Sequence, residues 1–189
     1  LGVVKNLITT IAVVFSIAIM LPRAGIADFQ KGMNAAQSGD YASAIKEWEF
    51  SAEQGDMEAQ FALGWSYKVG IGVTKNNETA FKWIGKAASQ GHPEAQQLLG
   101  EMYLNGNGVT KNFDLGIKLM LLAAENGNAK AQFVMGLLMT KGKGKNIAEA
   151  IRWYEKAAEQ AFPDAMFNLG VIFRRGEGVS KDLIRSFKW

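Results

Sequence analysis

Two stretches of this 189-residue chain hold glycine, threonine and lysine close enough together to suggest phosphate chemistry: "GWSYKVGIGVTKN" from Gly64 to Asn76, and "GEMYLNGNGVTKN" from Gly100 to Asn112. Each has glycine at its first, seventh and ninth places and ends in Gly-Val-Thr-Lys-Asn. Closely spaced glycines can turn successive backbone amides toward an anion, and a lysine beside them adds charge. The spacing does not complete that chemistry. A dinucleotide loop needs a third glycine three residues after the second and a strand ahead of it. Here Lys75 stands three residues after Gly72, and the residues ahead of Gly70 have helical spacing. No Gly-Lys-Ser or Gly-Lys-Thr occurs anywhere in the chain. The glycines around Ile71 therefore read as a turn that lets the chain leave a helix, with Val73 filling the space behind it. Only "KGKGK", from Lys141 to Lys145, has the charge to attract an anion.

Other reactive groups are sparse. Cysteine is absent, which excludes disulfides, thiolate zinc sites and a cysteine nucleophile. His92, the only histidine, lies between Gly91 and Pro93 with no ligand partner at helical spacing, and reads as a capping or exposed residue. Glu47, Glu49 and Glu155 read as solvated helix faces, and Trp48, Trp83 and Trp153 as core. No catalytic, cofactor-binding or metal-ligating residue is assigned, and the chain reads as a non-enzyme.

The elements that hold these residues repeat. Ala59, Ala95, Ala131 and Ala165 recur at steps of 36, 36 and 34 residues, each followed five residues later by Gly64, Gly100, Gly136 and Gly170. A period of this size marks stacked supersecondary units. Within a unit, Ala59, Ala62, Leu63, Ser66 and Tyr67 fall on one helical face, and Ala80, Trp83, Ile84, Ala87 and Ala88 on another. The second stripe returns as Gly116, Leu119, Met120, Ala123, Ala124 and as Ala150, Trp153, Tyr154, Ala157, Ala158. Asp40, Asn76, Asn112, Asn146 and Asp182 each precede a second helix at the same interval, where their side chains can accept from free first-turn N–H groups. Asn146 and Glu149 have the spacing of a capping box. Gly55, Gly91 and Gly127 suit helix ends, and Pro93 and Pro163 suit helix starts. The recurrent mid-helix glycine, unfavourable by about 1 kcal/mol against alanine, predicts a neighbouring backbone too close for a side chain.

The pattern A-x-x-x-L-G-x-x-Y-x-x-G-x-G-V, then a cap, then A-x-x-W-x-x-x-A-A-x-x-G, resembles the Sel-one-like repeat (SLR), a relative of the tetratricopeptide repeat. It reads "AQFALGWSYKVGIGV" at Ala59 and "AQQLLGEMYLNGNGV" at Ala95. The resemblance implies an all-α fold, an α-solenoid of antiparallel helix pairs stacked as a superhelix. The expected organisation is a tetratricopeptide-like first unit at 28–58, SLR units at 59–94, 95–130 and 131–164, and a truncated SLR unit at 165–189. Units of this family typically bind proteins or peptides. Where stacking does not dictate the residue, the place of Trp65 becomes Glu101, Leu137 and Val171, and that of Lys68 becomes Leu104, Thr140 and Arg174. Trp65, Lys68, Glu101, Leu104, Leu137 and Arg174 are the candidate partner-binding residues, expected opposite the apolar stripe of the first helix.

Residues 1–27 read as an export signal: Lys5, an uncharged apolar run from Leu7 to Leu21, and Gly25 and Ala27 before Asp28. The alternative is an uncleaved membrane anchor. Lys5 and Arg23 are two of the 21 basic residues, which leaves 19 against 18 acidic ones and gives no sign of nucleic acid as a partner. The expected role is a periplasmic or secreted scaffold that mediates assembly or regulation of an envelope or signalling complex, without cofactor, touching a membrane only through 1–27 if these remain. Two alternatives stay open: a cell-wall-related enzyme or ligand-binding SLR protein, and an inner-membrane-anchored adaptor facing the periplasm.

Overall fold

The computed structural model describes residues 24–141 and 145–189, and the described residues form ten α-helices and no strand. In chain order these are α1 (Ala24–Gln37), α2 (Tyr41–Glu53), α3 (Met57–Val69), α4 (Asn77–Ser89), α5 (Pro93–Asn105), α6 (Phe113–Glu125), α7 (Ala129–Thr140), α8 (Ile147–Glu159), α9 (Pro163–Arg175) and α10 (Leu183–Lys188). Most of the expected export signal lies outside the described residues, as do residues 142–144 of the lysine-glycine loop. The described residues form two compact units, one ending at Lys75 with α1–α3 and one from Asn76 to Trp189 with α4–α10. Within each, consecutive helices pack on one another.

Local chemistry sets the helix starts. Asp40, Asn76, Asn112, Asn146 and Asp182 accept from the backbone N–H of Ser43, Thr79, Leu115, Glu149 and Arg185 respectively. A second set serves the first helices: Asp56 and Asn128 accept from Ala59 and Ala131, and the His92 Nδ1 accepts from Ala95 at 3.3 Å. His92 is thus a cap, and it is buried. Asn146 and Glu149 pair differently from a capping box. The side-chain amide of Asn146 donates to Glu149 at 3.3 Å, because its backbone N–H is already given to the Met139 carbonyl. Ala161, where the other units have glycine, adopts φ +58 and carries the left-handed strain of roughly 1–2 kcal/mol.

Alanine columns hold the helices together. Ala59, Ala95, Ala131 and Ala165 are fully buried, as are Ala80 and Ala150 in second helices, so within each unit packed helices can approach closely. Larger side chains fill what remains. Tyr154, Leu169 and Phe173 centre one cluster, with Val179 of the last glycine loop packed against it, and Met120, Met135 and Trp153 centre another. Phe81 of α4 meets Tyr103 of α5 edge-on at 5.4 Å.

A polar ladder runs through this apolar packing. Gln60, Gln96 and Gln132, one residue after the first-helix alanines, are buried and donate to the carbonyls of Ala52, Ala88 and Ala124. The oxygens of Gln96 and Gln132 accept in turn from the next repeat: Asn126 donates to Gln96 at 2.8 Å, and Gln160 to Gln132 at 2.9 Å. Satisfied on both sides, Gln96 and Gln132 fix the offset between neighbouring helix pairs of the unit Asn76–Trp189.

The mid-helix glycines differ in what they accommodate. A Cβ on Gly100 would lie 3.0 Å from the Gly116 carbonyl oxygen, the close backbone approach that the sequence implies. On Gly136 it would meet the Tyr154 ring at 2.5 Å, a side chain and not a backbone. Gly170 faces only the Ser186 carbonyl oxygen at 3.4 Å, so the close approach fails there.

Candidate functional site

The glycine loops are filled by the protein itself. At Gly72, with φ +71, a Cβ would lie 2.8 Å from the Tyr41 carbonyl oxygen and 3.0 Å from Ile45, so the loop rests on the first turn of α2. At Gly108, with φ +73, it would fall on the Asn77 carbonyl at the start of α4. The backbone N–H groups at the loop entrance are engaged as well, since Gly70 and Ile71 both donate to the Ser66 carbonyl. These are turns that seat one helix end against another.

A concave surface occurs elsewhere, within the first unit. An apolar cleft of about 280 Å³ is lined by Phe29 and Met33 of α1, Tyr41 and Trp48 of α2, Phe61 and Trp65 of α3, and Ile71 of the following loop. Gly32 makes it possible: a Cβ there would overlap the indole of Trp48, so glycine lets that ring lie against α1. Trp48 is buried, but Tyr41, Trp65 and Ile71 are 45%, 43% and 42% exposed. Large apolar side chains at that exposure around an apolar floor are the composition of a docking surface. The Lys68 ammonium lies 4.8 Å from the Trp65 ring centroid and orders the rim. Behind the cleft, Tyr67 donates to Glu49 at 3.4 Å, and burial with the nearby Glu49 carboxylate raises the phenol above its ordinary value.

The six candidate partner residues separate in the structure. Trp65 and Lys68 stay together at the cleft. Glu101 pairs with Lys130 across α5 and α7 at 2.7 Å, and Arg174 is exposed near the end of α9. Leu104 and Leu137 do not stand opposite the packed face. Leu104 covers Gly116, whose missing side chain leaves room for it, and Leu137 packs against the cluster around Tyr154. Phe29, Met33, Tyr41, Phe61 and Ile71 were not singled out by spacing. The signal available was the Phe29-x-x-x-Met33 step just ahead of the repeat. Among the described residues no three His, Asp or Glu side chains gather in metal-binding geometry.

Known proteins place this architecture. The Sel1 repeat model matches residues 58–92, 93–128, 129–162 and 163–189. The chain is similar to the crystal structure of a Sel1 repeat protein from Oxalobacter formigenes, with 36% identity and a TM-score of 0.77 over 85% of this chain and 65% of that one. It is also similar to a protective antigen of uropathogenic Escherichia coli strains that displays an SLR fold, with 32% identity and a TM-score of 0.72 over 86% of this chain and 36% of that one. The fold alone is shared with a Sel1 repeat protein from Klebsiella pneumoniae, at 21% identity and a TM-score of 0.55, over 87% of this chain and 83% of that one. The chain therefore spans less than two thirds of the length of the first two. No curated protein matches it. Sel1 repeat proteins are generally scaffolds for protein–protein interaction and not enzymes. With four successive repeat matches and the helix-pair packing described above, this chain belongs to the Sel1 repeat family.

Proposed function

We propose that the chain is a non-enzymatic scaffold of the periplasm or exterior that holds a protein or peptide partner and serves the assembly or regulation of an envelope or signalling complex. The observation that carries this reading is the apolar cleft of the first unit, with Trp65 exposed at its rim. Binding energy concentrates in aromatic side chains that lose water on docking, and Trp65 is placed to do so without any rearrangement of α3. Export rests on Lys5, the apolar run from Leu7 to Leu21, and Gly25 and Ala27 ahead of Asp28.

The test is quantitative crosslinking capture from the periplasmic fraction of a bacterium expressing the full chain, comparing the parent with Trp65→Ala. Removing an interface tryptophan is expected to lower partner recovery at least about tenfold, with helicity and melting temperature unchanged. Equal recovery of the same partner by both proteins rules out the cleft. A chain absent from the periplasmic fraction rules out export.

A further inference from the structure

The second helices of the pairs in the unit Asn76–Trp189 carry a repeated charge that neither stacking nor the protein-binding cleft accounts for. At one register stand Lys82 of α4, Lys118 of α6, Arg152 of α8 and Lys188 of α10, all exposed. One turn further on, Lys86 and Lys156 extend the row, also exposed. These helices are neighbours: the loop before α6 rests on Asn77, Trp153 of α8 packs with Met120 and Ala123 of α6, and Arg185 of α10 pairs with Glu155 of α8 at 2.7 Å. The exposed acids of α4, α6 and α8 sit toward the helix ends, at Glu78, Asp114, Glu125 and Glu159, and the partly exposed Glu155 in mid-α8 is neutralised by Arg185, which leaves the middle of the surface positive.

Two details give this band the character of a lipid-facing surface. The Lys86 and Lys188 ammoniums lie 3.9 and 4.3 Å from the ring centroids of the partly exposed Trp83 and Trp189, which joins cations to aromatic rings as at a membrane interface. On α6 the neighbours of Lys118 are apolar. Leu115 and Leu122, three residues before and four after Lys118 and so on its face, replace Thr79 and Lys86 of α4, and Glu149 and Lys156 of α8, and both are exposed. Apolar side chains flanked by lysine suit shallow insertion among headgroups, and each cation adds attraction to an anionic leaflet.

We propose that this face docks on an anionic phospholipid bilayer through the Lys82, Lys118, Arg152 and Lys188 row, with Leu115 and Leu122 as shallow anchors. It goes beyond the scaffold reading and uses a different surface. An acidic protein is the competing partner, and the exposed leucines inside the basic band favour lipid over it.

The experiment is sedimentation of the full chain with vesicles of phosphatidylcholine alone or mixed with phosphatidylglycerol. A triple reversal, Lys82→Glu with Lys118→Glu and Arg152→Glu, and the pair Leu115→Ser with Leu122→Ser are run alongside, with helicity checked. Binding is read as the excess on mixed over phosphatidylcholine-only vesicles, which subtracts insertion of the uncharged run in residues 1–27 that all the proteins share. The parent should bind mixed vesicles and weaken as salt rises. The triple reversal should lose at least about tenfold in partitioning, and the apolar pair should lose less. Equal binding by the parent and the folded triple reversal overturns the proposal. So does a parent that binds polyglutamate and ignores mixed vesicles, which would assign the face to an acidic protein.

Discussion

Gly108→Ala should destabilise the chain by about 3 kcal/mol or more, adding left-handed strain to a steric overlap. The residue has φ +73, and a Cβ there would collide with the carbonyl carbon and oxygen of Asn77 and the amide of Glu78. These are backbone atoms at the start of a helix, so they cannot swing aside as a side-chain tip could. Two controls separate the causes. Gly55 has φ +92 with open space around it, so Gly55→Ala should show the conformational part alone, about 1 kcal/mol. Gly170 sits inside α9 with only the Ser186 carbonyl at 3.4 Å, so Gly170→Ala should be neutral or gain up to about 1 kcal/mol in helix propensity. Urea unfolding of the three variants checks the order. If Gly108→Ala were no worse than Gly55→Ala, the loop would not be seated on α4.

Tyr154→Ala should cost about 3–5 kcal/mol, in the range of large aromatic deletions from a core. The side chain is 1% exposed and centres the cluster formed by Leu169, Ile172 and Phe173. It lies against Gly136 of α7 and 5.8 Å from the Phe133 ring, while its hydroxyl bonds with Asn168 and Thr140. One side chain thus ties α7, α8 and α9. The pairing with Gly136 gives a sharper check. Gly136→Ala drives a methyl into the tyrosine ring, so its cost should largely vanish once the ring is gone. In a double-mutant cycle by chemical denaturation the two changes are therefore expected to be strongly non-additive. Additive losses would mean that Gly136 is not the seat of Tyr154.

The helices and their caps were legible because capping is a contact over three residues. Asp40, Asn76, Asn112, Asn146 and Asp182 each meet their partner within their own turn. The glutamine ladder was written in the same register as Ala-Gln at 59–60, 95–96 and 131–132. Its acceptor role, however, needs Asn126 and Gln160, 30 and 28 residues away, and no local rule brings them there. Leu104 and Leu137 show the limit from the other side. Whether such a position faces water depends on the helix opposite, and a glycine at 116 draws Leu104 inward. The cleft was half legible. Trp65 stood out because the sister positions hold smaller or charged residues, whereas Phe29 and Met33 belong to α1, ahead of the repeat register, and meet it only in the folded unit.

That the glycine loops are architecture, and the chain a scaffold, is tested most directly by melting the parent and Gly72→Val with and without ATP or NAD. Gly72 holds φ +71 against the Tyr41 carbonyl, so the variant should melt lower, and neither nucleotide should move either curve. A saturable nucleotide-dependent rise in the parent's melting temperature, lost in a Gly72→Val protein that melts where the parent does, would contradict it.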